Sequence, residues 1–259
     1  MSMIDVRQVV EAPTRVPYRF GLFSVLDFQP SSRGTLALAW DSIGCSPTQA
    51  AQDPCLTDGG EDHTKTPNVD CETGSPVSFS VIAYDDSSLG RDRAESSDRA
   101  RQKLLIGEQY TAEMMFSAAF DGNTTDVTGL VPLPTTLNTA AELWTAAIGE
   151  IEQALGEQGG EGLIFMPRAA ASAVSDYLNI TGSVARTKLG TPIAFLAGWD
   201  YATSDAVIGV SATVAVRGEI ATGNAWNMLI NDHSEYAERD YALGWECDAL
   251  VVNPSSINV

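Results

Sequence analysis

The residues best suited to chemistry gather in one polar stretch. Cys45, Cys55, His63 and Cys71 form a three-cysteine, one-histidine set, a ligand combination that zinc accepts. Their spacing contains no close CxxC pair, which argues against metal. A Cys45–Cys55 or Cys55–Cys71 disulfide would instead close a loop of about 10 to 17 residues. Unpaired thiols are the third reading. Cys247 falls in the strand expected at 247–252 and reads as a small core residue. The two histidines, His63 and His233, lie in neither an HExxH motif nor a paired spacing. No GxSxG nucleophile elbow, GxxxxGK[ST] phosphate loop or GxGxxG dinucleotide fingerprint occurs, and Gly44-Cys45-Ser46 is only a turn. Asp85, Asp86 and Asp232 are candidate catalytic carboxylates. In a chain with 34 acidic residues, surface acids are the simpler explanation. Asn123-Thr124-Thr125 and Asn179-Ile180-Thr181 match the glycosylation sequon, read as chance without a secretory signal. The expected site inventory is therefore no catalytic residue, no cofactor and no metal.

The elements that would hold such residues are easier to read. Residues 1–20 contain Pro13 and Pro17 with little periodicity and suit an extended arm. Phe20 to Leu26 reads as a short apolar strand. Leu36, Leu38 and Trp40 alternate with Thr35, Ala37 and Ala39, and Val77, Phe79 and Val81 alternate with Ser78 and Ser80. Such alternation suits strands with one covered face. Residues 35–40 and 77–84 are thus expected to pair as an antiparallel hairpin. Residues 41–76, rich in Asp, Gly, Pro and Thr, are too long for a structureless loop inside a compact domain. They suit the tip of a projection ordered by a neighbour.

Residues 96–120 form the strongest helix candidate, capped by Ser96, Ser97 or Asp98. Leu105, Ala112, Phe116 and Ala119 recur at helical spacing, so Leu105 and Phe116 are expected to face a sheet. Asp121-Gly122-Asn123 ends it. After Val131-Pro132-Leu133-Pro134, a second helix fits 138–155, with Leu143, Ala147, Ile151 and Leu155 in one row and Gly156, Gly159 and Gly160 beyond it. Leu163–Met166 reads as a buried strand, Pro167 opens a third helix at 168–178, and Pro192–Leu196 is another buried strand. Further strands fit 206–217 and 247–252. The fold class is α+β.

Bulk properties bound the partners. The chain has 259 residues, 44% hydrophobic and 19% charged, enough for one large or two small cores. Its formal net charge of −19 repels nucleic acid and anionic membranes. No apolar run reaches the ~20 residues needed to cross a bilayer. Met1 to Arg7 lacks the pattern of a secretory signal, which leads to the expectation of synthesis in a reducing cytosol. An arm without a core and a hairpin with a polar tip are each marginal alone, so an oligomer subunit is expected.

This order of elements resembles the Hong Kong 97 capsid family. The residues that carry the resemblance run from Leu143 to Leu196. They are Gly162-Leu163-Ile164-Phe165-Met166-Pro167, the short helix ending at Tyr177-Leu178, and Lys188-Leu189-Gly190-Thr191-Pro192-Ile193. Ala237-Glu238-Arg239-Asp240 leading into Trp245–Val252 fits the family's tail. The resemblance implies an N-terminal arm (1–20) and an extended two-stranded loop (21–88). It further implies a peripheral domain with the spine helix (89–135 and 231–259) and an axial domain (136–230). The insert at 44–74 departs from the family pattern.

The implied function is that of a major capsid protein. Many copies, as pentamers and hexamers, would tile an icosahedral shell around a double-stranded DNA genome, with no sequence-specific DNA binding and no membrane. Scaffold, portal and decoration proteins are candidate partners, although a start at Met1 argues against removal of an N-terminal scaffold segment. The implied location is the virion capsid, assembled in the host cytoplasm, where an acidic wall would not hinder genome packing or release. Virions meet oxidising surroundings after lysis, which would permit a loop disulfide. Lys65, one of three lysines with Lys103 and Lys188, sits where some family members form an isopeptide cross-link. No partner acid is identifiable, and a solvated lysine is the better reading. The alternatives are an encapsulin-type shell and a soluble acidic hydrolase or binding domain.

Overall fold

The computed structural model describes residues 16–31, 77–86, 93–130, 137, 139–200, 205–227 and 232–257. Residues 35–40, Cys45, Cys55, His63, Lys65 and Cys71 lie outside them. So do the expected 35–40/77–84 hairpin, the zinc set and the loop disulfides.

Two sheets share one helix. The first contains β1 (Phe28–Ser31), β2 (Val77–Asp86), β9 (Thr213–Gly218), β10 (Ala221–Asn227) and β11 (Asp232–Trp245). Within it, β2 lies antiparallel along β11 from Ser234↔Asp86 to Leu243↔Val77. On the other edge of β11 come β10 and then β9, with β1 parallel to β9. The second sheet has the order β3-β12-β8-β4-β7-β6-β5. These strands are β3 (Thr124–Asp126), β4 (Leu163–Pro167), β5 (Asn179–Thr181), β6 (Val184–Arg186), β7 (Pro192–Leu196), β8 (Val207–Val210) and β12 (Ala249–Val252).

Alternation in the second sheet separates two cores. Leu163, Phe165, Ala194, Leu196, Ile208, Val210 and Val251 point to one face, where Phe116 and Phe120 pack. Ile164, Met166, Ile193, Phe195, Val207, Leu250 and Val252 point to the other, under Ile148, Ile151 and Leu155 of helix α3 (Ala140–Glu157). Helix α3 starts at a capping box in which Thr139 accepts from the Glu142 N–H and Glu142 accepts from the Thr139 N–H. It ends just before Gly159, whose φ of +93° suits glycine.

The spine helix α2 runs unbroken over Arg93–Ala118. Phe116 and Ala112 are buried as expected, but Leu105 is 41% exposed. The buried row is Ser96, Ala100, Leu104, Glu108, Ala112, Phe116 and Phe120, each four residues after the last. Polar members interrupt it, so apolar spacing alone aims the face one residue off.

Four local expectations need correction. Residues 22–25 form a short helix, α1 (Leu22–Val25), rather than a strand. Phe20 before it holds φ +64°, a left-handed turn that breaks extension. The third helix is a broken coil: 3₁₀ turns at Arg168–Ala170 and Ser175–Tyr177 flank α4 (Ala171–Val174). The stretch 206–217 divides between the two sheets as β8 and β9. Cys247 is not a strand-core thiol: it is half-buried at φ +65° between β11 and β12, and it is disulfide-bonded.

Phe116→Ala should cost about 3–5 kcal/mol, whereas Leu105→Ala should cost less than about 1 kcal/mol. Urea unfolding of the unassembled subunit measures both, and equal losses would show that the buried face is misassigned.

Candidate assembly surface

The site is built on α2, which crosses the first sheet and reaches the second. Residues directly opposite each other on β2 and β11 share a face. Asp85 and Glu235, Val81 and Arg239, and Phe79 and Tyr241 are such pairs, and they lie beneath the helix. Asp85 receives a hydrogen bond from the Lys103 ammonium and pairs with Arg99 at 3.3 Å, while Arg93 pairs with Glu235 at 3.2 Å. Burial opposes ionisation of Asp85, but the Lys103 hydrogen bond and the charges of Lys103 and Arg99 outweigh it. Together they hold its carboxyl below the usual aspartate range.

Two turns further along, the charges reverse. Glu108, on the helix, accepts from Arg217, from Arg239 at 2.7 Å and from the Tyr241 hydroxyl at 2.8 Å. The Arg217 guanidinium also lies 5.0 Å from the Phe23 ring centre. Phe23 and Phe79 stack on Tyr241.

Glu113, one turn on, has no solvent exposure. It accepts from the Tyr18 hydroxyl, from the backbone N–H groups of Leu22 (3.0 Å), Ala197 (2.7 Å) and Gly198 (3.2 Å), and from the Gln109 amide (3.1 Å). One carboxylate thus fastens the chain entry and the end of β7 to the helix. Gly198 is required there, because a Cβ would stand 2.2 Å from the Tyr110 carbonyl oxygen. Ser117 completes the joint by donating to the Gly198 carbonyl and accepting from the Asp200 N–H.

With the inner face occupied, the outer face of β2 and β11 stays open. Ile82 is 43% and Tyr84 55% exposed. Tyr84 lies beside Tyr236, ring centres 6.2 Å apart. Tyr236 lies across Gly223, where a Cβ would meet its hydroxyl at 2.5 Å. Glu238 and Asp240 stand opposite Ile82 and Ser80 and give the apolar stripe an acidic border. The far end of the second sheet exposes Ile180 and Leu189, the latter 81% exposed at the tip of the Thr187–Thr191 turn. That turn is held by Glu152, which accepts from the hydroxyls of Thr187 and Thr191.

Asp85 is consumed by its ion pairs. His233 lies in β11 opposite Trp226, while Asp86 and Asp232 sit at strand ends. Asn123 donates to the Ala119 and Asp121 carbonyls, and Asn179 to that of Thr187. Among the described residues no cluster of His, Cys, Asp or Glu could hold a metal ion, and no helix is long and apolar enough to cross a membrane. Sequence reasoning missed Glu108 and Glu113. Their only signal was an acid recurring on the apolar side of the helix.

No protein-family model matches the chain, and no curated protein matches it. Solved structures do. A structure from Microbacterium phage Oxtober96 and one from Mycobacterium phage Cain each align at TM-score 0.54 and 12% identity, over 95% of both chains. The capsid of a native GTA particle aligns at TM-score 0.51 and 12% identity, over 96% of this chain and 94% of that one. The likeness establishes the fold: the α+β, Hong Kong 97-like architecture expected from the element order is the one the chain adopts.

The Asp85 pairs stabilise the helix only while the carboxyl is ionised. Its value is depressed by folding, so this stability is present above the unfolded pKa and is lost as pH falls through the folded one. Because Lys103 and Arg99 are 49% and 44% exposed, screening limits the effect to about 1 kcal/mol. Asp85→Asn should be weaker by that amount at neutral pH and should converge with the parent in acid. A constant difference across the titration would contradict the assignment.

Proposed function

We propose that the chain is a major capsid protein. Many copies, as pentamers and hexamers, close into an icosahedral shell around double-stranded DNA. The observation that carries this reading is likeness over nearly the whole chain, rather than over one domain, to phage-derived structures and to a particle capsid. Two exposed apolar regions, Ile82–Tyr84–Tyr236 and Ile180–Leu189, supply surface for contacts between copies. A net charge of −19 suits a wall that confines nucleic acid without binding it.

The shell wall is the whole role in this reading, with no catalytic step, and the protein resides in the virion after assembly in the host cytoplasm. The division into arm (1–20), extended loop (21–88), peripheral domain (89–135 and 231–259) and axial domain (136–230) is carried into the proposal as a division of labour in the shell. Sheet membership cuts across it: β9 and β10 pair with β11, and β12 pairs with β8. Scaffold, portal and decoration proteins are the further partners this role would call for.

Purified protein should give megadalton particles by light scattering and closed shells in electron micrographs. A monodisperse monomer at all concentrations would refute the proposal, and shells released with a bound cargo protein instead of DNA would favour a cellular compartment. Ile82→Asp with Tyr84→Asp should leave the subunit melting temperature within a few degrees, since exposed changes cost about 0.5 kcal/mol. The double variant should lower particle yield at least tenfold. Unchanged yield would remove this face from the assembly contacts.

A further inference from the structure

Glu150 is a buried acid that the shell reading leaves unused. It lies on α3 and is 1% exposed. Its Oε2 accepts the Gly129 N–H at 3.0 Å, while Oε1 has no hydrogen-bond partner among the described residues. A buried carboxylate with an unmet oxygen is costly when charged. Gly129 belongs to the turn that follows β3. That turn is closed by the Asp126 carboxylate accepting from the Thr128 N–H at 2.9 Å and by Leu130 N–H donating to the Val127 carbonyl. Thr128 in turn accepts from the Asn253 N–H at 3.3 Å. The turn is therefore held from one side by α3 and from the other by the chain after β12.

Among the described residues, no cation compensates a charge on Glu150. On α3, the residues three and four positions away are Ala146, Ala147, Gln153 and Ala154. The elements packed against α3 are β8, β12, α4 and the 3₁₀ turn Pro254–Ser256, and none contains an ionisable residue. The charged group that faces Glu150 is Asp126, an acid. Asp248, at the entry to β12, is exposed, and its carboxylate accepts from Thr125 instead.

We propose that the Asp126–Leu130 turn is a proton-controlled latch on α3, closed while Glu150 carries a proton and loosened when Glu150 ionises. Burial, and then the Asp126 charge, push the Glu150 carboxyl above the usual glutamate range, against the pull of the Gly129 hydrogen bond. The sign follows from linkage. A value raised by folding gives stability that is present below the unfolded pKa and is lost as pH rises through the folded one. The latch is therefore tightest in mild acid, and opening it hydrates the carboxylate. This is opposite to the pH response of Asp85.

The test is amide hydrogen exchange at Gly129 in the full-length protein across that pH window, corrected for the intrinsic pH dependence of exchange. Protection should fall with rising pH, about tenfold for each pH unit between the unfolded and folded pKa values. Glu150→Gln should make protection independent of pH, and Asp126→Asn should move the loss to lower pH without abolishing it. The same titration is run with calcium ion and with a chelator. Overturning results are a pH-independent wild type, a Glu150→Gln variant that keeps the pH dependence, or protection that follows calcium rather than protons.

Discussion

A buried carboxylate persists in a folded protein only if donors surround it, and the rest of this structure hangs on that constraint. Glu108 and Glu113 both lie on the covered side of α2. Glu108 draws in Arg239, Arg217 and Tyr241 from the first sheet. Glu113 draws in Tyr18 and Leu22 from the chain entry, and Ala197 and Gly198 from the end of β7. Hydrophobic contact with Phe116 and Phe120 removes apolar surface from water, but it is not directional. The two acids supply the direction, because donors on separate segments must converge on each of them.

This joint explains how a chain with two sheets stays in one piece. The first sheet packs under the helix with its inner face, and the second packs against the same helix near Phe116 and on its other side against α3. The helix is thereby a wall shared by both sheets. A rigid body of this kind can present open faces, such as Ile82 and Tyr84 on β2, without needing them for its own folding. Folding contacts and the proposed assembly contacts lie on opposite sides of the same strand, as the two-residue period of β2 dictates.

Much of the architecture was legible in the sequence. The apolar row of α3, the buried strands at 163–167 and 193–196, and the alternation of 77–84 each announced their element, since period and burial agree there. The spine helix was legible in extent but not in orientation. Its face includes Glu108 and Glu113, so hydrophobic spacing selected Leu105 instead of Leu104. The short helix at Leu22 was hidden because its apolar run also suits a strand, and only the left-handed turn at Phe20 decides between them. The partners of Glu113 could not be foreseen: they are mostly backbone N–H groups, which every residue carries. Cys247 shows the same limit, since a thiol at the start of an expected strand gives no sign of being bonded.

Whether one helix-pinned body is the repeating unit of a shell is decided by a three-dimensional reconstruction of assembled particles. The expected result is a closed icosahedral lattice in which each subunit keeps α2 across both sheets, with a neighbouring copy covering Ile82, Tyr84 and Tyr236. A particle without closed symmetry, or a lattice in which α2 has left either sheet, would contradict it.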